Sequence, residues 1–375
     1  MLSMVACERK PLYLRAPGNG SVDVSVYDVK LDLLWGFDWE TQWQYEWDST
    51  LWGPIGYTTP DIVRAFVYGL DHEAISRQNC FTRNFAVSGG RVSLESASWY
   101  DMLFFNGGTS WIQFDQATDY SYYNASTRAS SRTSYSDRRK EISVYPDYNQ
   151  PDELFGTFLQ KLYVSDDPDD YEITQEADGT TVYIYHIDAC LRPYTFIYLI
   201  QVMLLNNYDE KGMRVKGCQG MSLDGVSQGV ELYSRCTYDE EASVTADDVK
   251  PIQPKRALRL PNGQTVEGDI FASRLLSWGL PGIVPLDHIT RSVQTDYENH
   301  VGMGLVLRNG RTYNISSDIT EQMQQHPTGG VITVVYDASE VPDSIINADP
   351  TSQGGGGFNA NVEDWSNEQN AEINI

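Results

Sequence analysis

Between Leu33 and Leu51 the chain alternates with a period of two. Leu33, Trp35, Phe37, Trp39, Trp43, Tyr45, Trp47 and Leu51 hold odd positions, while Asp38, Glu40, Gln42, Gln44, Glu46 and Asp48 hold even ones. A helix would gather the tryptophans at their spacing of four but would turn Phe37 and Tyr45 towards the acids; a strand puts all eight on one face. Ribbons with one aromatic and one charged face belong to antiparallel sheet covered on one side. The chain is therefore expected to be all-β, with its work done on surfaces and not in a cofactor cleft.

Size and charge narrow the choice further. With 375 residues the chain exceeds what one hydrophobic core usually organises, so two domains are expected. Acids outnumber bases 52 to 27, for a formal charge of −25, which repels a phosphate backbone and argues against nucleic acid as a partner. A basic partner or a divalent cation is compatible with it. An apolar content of 41% with 24 Tyr and 9 Trp opposes wholesale disorder. The longest apolar stretch, Tyr194 to Leu205, has strand length, is interrupted by Gln201, and falls short of the roughly 20 residues of a spanning helix.

Strand and turn signals recur along the chain. Val22, Val24 and Val26 alternate with polar residues, and Val63 to Tyr68 follows a segment, Pro60 to Val63, that could form a helical turn. A hairpin is expected at Phe85-Ala86-Val87, Ser88-Gly89-Gly90 and Arg91 to Leu94, because Gly-Gly permits positive φ. The run Met102 to Phe105, closed by Asn106-Gly107-Gly108, is answered by Trp111 to Phe114. Thr118 to Lys140, rich in Ser, Thr, Tyr and Arg, reads as a long exposed loop. Later strands are expected at Thr181–Ile187, Thr195–Leu204, Val230–Tyr233, Ile270–Leu276, Val301–Leu307 and Gly330–Tyr336, with turns at Asp178-Gly179 and Asn309-Gly310 and a short helix at Thr320–Gln325. Short strands with such turn spacing suggest sandwiches or barrels. The division that follows is an N-terminal tether at 1–20, one β domain at 21–158 and a second at 159–375. Within the second, 341–375 carries a Gly354–Gly357 hinge and a final alternation of Ala371, Ile373 and Ile375, a strand able to complete its own sheet or to add to another molecule's edge.

Sites of chemistry are sparse. No Gly-x-Ser-x-Gly elbow, zinc helix, phosphate loop or complete dinucleotide fingerprint occurs, and Gly302-Met303-Gly304 lies inside a strand pattern. His72, His186, His288, His300 and His326 are far apart, and Cys80, Cys190, Cys218 and Cys236 form no metal-ligand spacing. No catalytic residue, metal or cofactor is assigned. A glycoside hydrolase would need only two converging carboxylates among the 52 acids, which leaves that class open. Asp166-Asp167-Pro168-Asp169-Asp170 reads as a solvated turn, lacking the spaced ligands of a calcium loop. The tryptophans at 35, 39, 43 and 47 could stack sugars, a glycan-binding alternative, although aromatics on a sheet's inner face are commoner. The start, Met1-Leu2-Ser3-Met4-Val5-Ala6-Cys7-Glu8, has the pattern around a bacterial lipoprotein cleavage site but a short apolar run, so Cys7 is either lipidated or an ordinary thiol.

Several segments taken in order resemble the fimbrillin-like (Mfa-like) surface lipoproteins of Bacteroidales. They are Cys7 to Tyr13, Val22-x-Val24-x-Val26, Gly89-Gly90-Arg91-Val92, Trp99 to Leu103 with Asn106, Gln150-Pro151-Asp152-Glu153-Leu154-Phe155, Gly220-Met221-Ser222, Phe271 to Pro281, and Gly354 to Phe358 with Trp365. The resemblance implies two transthyretin-like antiparallel β-sandwiches, lipid attachment at Cys7, a place on the outer membrane surface, and a non-enzymatic role with other fimbrial subunits as accessory, anchor or tip. A host or bacterial surface ligand is a further partner to expect. Shaft subunits of that family assemble after cleavage at a basic residue, for which Arg15 and Lys30 are the candidates, with strand insertion between neighbours; here Ala371, Ile373 and Ile375 form the candidate donor strand. No basic residue lies between Lys30 and Arg64, which favours an accessory role over a shaft role.

Overall fold

The computed structural model describes residues 21–31, 47–53, 56–70, 77–115, 123–130, 145–246, 248–259, 263–283 and 296–349. Nearly all regular structure there is strand. The chain begins with β1 (Ser21–Leu31), β2 (Ile62–Leu70), β3 (Arg77–Ala86), β4 (Gly90–Glu95) and β5 (Ser98–Asn106), followed by β6 (Ile112–Asp115), β7 (Asn124–Thr127) and the two-residue β8 (Asp147–Tyr148). Next come β9 (Phe155–Val164), β10 (Glu172–Gln175), β11 (Thr181–Pro193), β12 (Phe196–Leu205), β13 (Tyr208–Asp209) and β14 (Gly212–Met213). The remainder are β15 (Val215–Ser227), β16 (Gly229–Glu231), β17 (Glu241–Ala246), β18 (Gln253–Arg259), β19 (Thr265–Ser277), β20 (His300–Leu307), β21 (Thr312–Asp318) and β22 (Gly330–Asp337). Three short helices complete the described residues: α1 (Ser49–Trp52), α2 (Thr320–Gln325) and α3 (Asp343–Ile346). The all-β class expected from the sequence is what the chain forms.

Two compact units interleave along the chain. One takes Met1–Leu31, Pro60–Gly108 and Gly156–Leu191; the other takes Asp32–Thr59, Thr109–Phe155 and Arg192–Ile375. The linear division at 158/159 expected from the sequence differs from this partition because strands distant in sequence share sheets. Ile112–Asp115, for example, does not return along β5; it pairs with β7, which pairs with β16, in a separate three-stranded sheet.

In the first unit the strand order is β3-β2-β5-β9-β11-β1-β4, with β10 added on β11. Strand β5 is buried from Tyr100 to Asn106 and stands inside the sheet, which explains its unbroken apolar run. Phe66 of β2 stacks on Phe105 of β5 at 5.5 Å between ring centroids. A turn forms here at Val87–Ser88, one residue before the expected Ser88-Gly89-Gly90, with an Ala86–Gly89 bridge, but its two arms then part. Strand β3 pairs with β2 and β4 with β1, at opposite ends of the strand order, so the turn is a corner and not the head of a long hairpin. Gly90 is needed there, since any Cβ would collide with the Phe85 ring.

The second unit stacks a four-stranded sheet, β18-β19-β12-β22, and a five-stranded one, β21-β20-β15-β17-β8, around a common core. Strand β12 is buried from Phe196 to Leu204 and pairs antiparallel with β19 and parallel with β22. Val301, Met303, Leu305 and Leu307 of β20 enter the core with Met221 and Leu223 of β15. Each such side chain contributes about 1.5–3 kcal/mol on burial. Gly302 and Gly304 alternate with these core residues within β20, as strand geometry requires.

Three expectations are corrected. Ser49–Trp52 is helix where the tryptophan ribbon predicted strand: the Asp48 carboxylate accepts the N–H groups of Thr50 and Leu51 at 3.1 and 3.2 Å, an N-cap that sequence periodicity does not reveal. Ile62 opens β2 in place of a helical turn, because its run is paired on both sides by β3 and β5. The span Thr118–Lys140 is not all exposed loop, since Asn124–Thr127 is strand β7, in which Ala125 and Thr127 are buried. Residues 33–46 of the ribbon lie outside the described residues.

Candidate functional site: the sheet edges

An all-β chain can meet other molecules through strand edges and sheet faces, so the edges of the described sheets hold its candidate functional groups. In the four-stranded sheet one edge is β18. Between Gln253 and Arg256 its register slips against β19, and Lys255 there takes φ +52° while its N–H donates to the buried Asp269 carboxylate at 3.1 Å. The bulge brings Lys255 and Arg256 out as consecutive exposed charges, a pattern that blunts an edge against pairing.

The opposite edge, β22, reads Val331-Ile332-Thr333-Val334-Val335 and is closed differently. Helix α2 sets the Gln322 amide against the middle of the strand. Its Nε2 donates to the Thr333 carbonyl at 2.9 Å and its Oε1 accepts the Thr333 N–H at 3.0 Å, the two bonds that a neighbouring strand would make. Inside the sheet, Gln201 Nε2 donates to Thr333 Oγ1 at 2.9 Å. In the five-stranded sheet β8 is only two residues long, which leaves little main chain to pair.

The end of the described chain is clamped onto the second unit. The buried Arg214 guanidinium donates to the carbonyls of Ala338 and Val341 at 3.0 and 2.8 Å and to the carboxylates of Asp209 and Asp343 at 3.0 and 2.9 Å. Arg308 reaches Asp209 with two nitrogens at 2.5 and 2.8 Å, and those hydrogen bonds hold the Asp209 carboxyl well below the usual carboxylate range. Asn309 donates to the carbonyls of Ile345 and Ala348 at 2.7 and 3.0 Å. The last described residues are therefore held against this unit as far as Asp349.

The Gln150-Pro151-Asp152-Glu153-Leu154-Phe155 segment has a structural task. Gln150 bridges the two sheets of the second unit, donating to the Thr245 carbonyl of the segment containing β17 at 3.2 Å and accepting the Leu276 N–H of β19 at 3.0 Å. Asp152 accepts the N–H groups of Ser110 and Trp111 at 2.7 and 2.6 Å. Glu153 pairs with Arg274 at 2.6 Å and accepts the Thr58 N–H at 2.7 Å. These bonds were not legible from spacing, because their partners lie up to 126 residues away.

Other sequence candidates fall as follows. Cys7, Arg15, Ala371, Ile373 and Ile375 lie outside the described residues, as do Trp35, Trp39 and Trp43. Lys30 lies within β1, opposite Cys190 of β11. Trp47 is buried against Trp52, and its indole N–H donates to the Gly53 carbonyl at 3.1 Å, so it is not part of an exposed sugar platform. Asp166–Asp170 forms a 3-10 turn capped by Asp167, which accepts the Asp169 N–H at 2.9 Å. His186 pairs with Glu172 at 2.9 Å, while burial depresses the His326 pKa to about 3. Among the described residues no cluster of His, Cys, Asp and Glu could hold a metal ion. Cys190, Cys218 and Cys236 are free thiols.

No known family profile matches the chain, and no curated protein sequence does. Similar solved structures include a Bacteroides ovatus protein assigned as an adhesin, at 13% identity over 91% of this chain and 100% of that one, TM-score 0.46. Another is the fimbrial anchor protein Mfa2 from Porphyromonas gingivalis, at 10% identity over 84% of this chain and 90% of that one, TM-score 0.39. A third is a fimbrial assembly protein from Parabacteroides distasonis, at 9% identity over 85% and 92%, TM-score 0.30. At such identities no residue role is carried across.

Proposed function

We propose that this chain is a non-enzymatic, surface-exposed outer-membrane protein of the fimbrillin-like type, an accessory, anchor or tip component of fimbriae that joins other subunits by β-strand addition. The observation that carries the reading is the Arg214–Arg308–Asn309 clamp. It holds the chain through Asp349; in this reading the alternating terminus Ala371, Ile373 and Ile375 is the donor strand. From Asp349, 26 further residues reach at most roughly 90 Å when extended, far enough to meet a neighbouring subunit's edge. Affinity would come from main-chain hydrogen bonds and register from side-chain pockets. In this reading Cys7 carries the lipid that tethers the chain, and Arg15 or Lys30 is where any processing occurs.

Ending the chain at Gly357 tests the donor strand. The truncated protein should fold as the full chain does, by circular dichroism and thermal melting, yet be missing from filaments sheared off cells of the source bacterium; unchanged incorporation removes the idea. Metabolic labelling with palmitate tests the tether separately, since Cys7→Ser should abolish the label.

A further inference from the structure

One face of the first unit carries aromatic rings that its core does not use. Trp99 of β5 and Tyr163 of β9 are directly opposed, with centroids 4.8 Å apart and planes tilted by 44°, and remain 36% and 38% exposed. Residues later, Tyr171 packs against both Tyr183 and Tyr185 of β11, at 6.2 and 5.9 Å with interplanar angles of 81° and 64°. Between these two groups the chain runs through Asp166, Asp167, Asp169 and Asp170, and Tyr163 Oη donates to the Asp166 carboxylate at 3.5 Å. Burial, with the carboxylates of Asp170 and Asp166, raises the Tyr171 pKa. No ion pair ties Asp166, Asp167 or Asp169 to a base among the described residues.

The geometry points to a binding surface for a lysine- or arginine-bearing segment of a partner protein, its alkyl stems lying on Trp99 and Tyr163 and its cationic ends on the Asp166–Asp170 turn. Charge complementarity selects the occupant. Ring faces carry the negative end of the aromatic quadrupole and attract ammonium or guanidinium groups, and the carboxylates beside them add to that attraction. A chain with formal charge −25 also steers cations inward and repels anionic partners. The acidic turn beside the rings favours a cation over a neutral glycan. It uses other residues than the sheet edges and the C-terminal strand invoked for assembly and stands or falls independently of them.

The test is fluorescence anisotropy with the full chain and a labelled Arg-Ser-Arg-Ser-Arg peptide at near-physiological salt. Trp99→Leu with Tyr163→Leu keeps the charge and should weaken binding about tenfold, the scale of two exposed cation–π contacts. Asp166→Asn with Asp167→Asn and Asp169→Asn should weaken it at least as much. Neutralising three exposed acids of the second unit, Glu210→Gln, Asp248→Asn and Asp296→Asn, should change it less than twofold, and near-ultraviolet circular dichroism establishes that each variant is folded. Equal loss from the two charge-neutralised variants, or full binding by the ring-deleted one, overturns the proposal as general acid–base attraction. Binding of cellohexaose or maltoheptaose that is lost with Trp99→Leu, with peptide binding unaffected, overturns it in favour of a glycan surface.

Discussion

The Gln322 side chain makes with Thr333 both hydrogen bonds that a paired strand residue would make, at 2.9 and 3.0 Å. A single amide on helix α2 thereby stands in for a strand at the centre of the β22 edge. Alternation along a strand turns the outward main-chain groups of Val331 and Val335 the same way as those of Thr333, so this amide guards the middle of a run that is otherwise suited to pairing.

Gln322→Ala should strand a buried donor and acceptor on Thr333 and cost about 1–3 kcal/mol. The same change opens the edge, so self-association by sedimentation velocity should rise with concentration. Gln322→Glu keeps the acceptor but loses the donor and should fall between the two. A purely local loss of stability with no change in association would show that the amide supports α2 without guarding the edge.

Acid should unfasten the C-terminal clamp. Arg308 lowers the Asp209 carboxyl in the folded chain chiefly through hydrogen bonds, with the Lys211 N–H and the charges of Arg308 and Arg214 assisting. A depressed carboxyl contributes stability that is complete above its unfolded value of about 3.9 and drains away as pH falls below it towards the folded value. Urea midpoints measured between pH 5 and pH 2 should therefore fall more steeply for the wild type than for Asp209→Asn. Parallel slopes would dissociate Asp209 from the acid response.

Gly225 occupies the β15 bulge between Asp224 and Val226 with φ +75°, and a Cβ there would strike the Glu298 carbonyl. The Asn299 amide holds the same bulge, donating to the Gly225 carbonyl at 2.6 Å. Gly225→Ala should destabilise by on the order of 2 kcal/mol or more through strain and collision, against about 1 kcal/mol for Gly263→Ala through strain alone. Since Gly263 also has φ +81° but meets nothing within 4 Å, the difference between the two variants isolates the collision.

Cys218 should resist alkylation in the folded chain. Burial pushes its thiol up to about 12, so little thiolate exists at pH 8. Iodoacetamide labelling followed by peptide mass spectrometry should modify partly buried Cys218 far more slowly than after denaturant is added; prompt native labelling would contradict the raised thiol.

Much of the fold was legible because strands declare themselves locally. The apolar run at Phe196–Leu205, the alternation of Val301, Met303 and Leu305, and the turn at Asn309-Gly310, where Gly310 has φ +84°, all read correctly from short windows. The end of the tryptophan ribbon did not, because the Asp48 cap outweighed the two-residue period over Ser49–Trp52. The turn expected at Ser88-Gly89-Gly90 forms one residue earlier, and the separation of its arms was not legible, since a turn constrains four residues and not which neighbours their strands select.

Period, charge and turn chemistry in the amino-acid sequence by themselves determined an all-β, acidic chain without a recognisable catalytic signature, because each depends on residues close together in the chain. Tertiary structure alone decided which strands became edges, that Gln322 closes one of them, that Gln150–Glu153 staples sheets together, and that Trp99 and Tyr163 meet. Those outcomes rest on pairings between residues from 11 to 126 positions apart, and hydrogen bonds and ring contacts of a few ångströms carry no trace in local spacing.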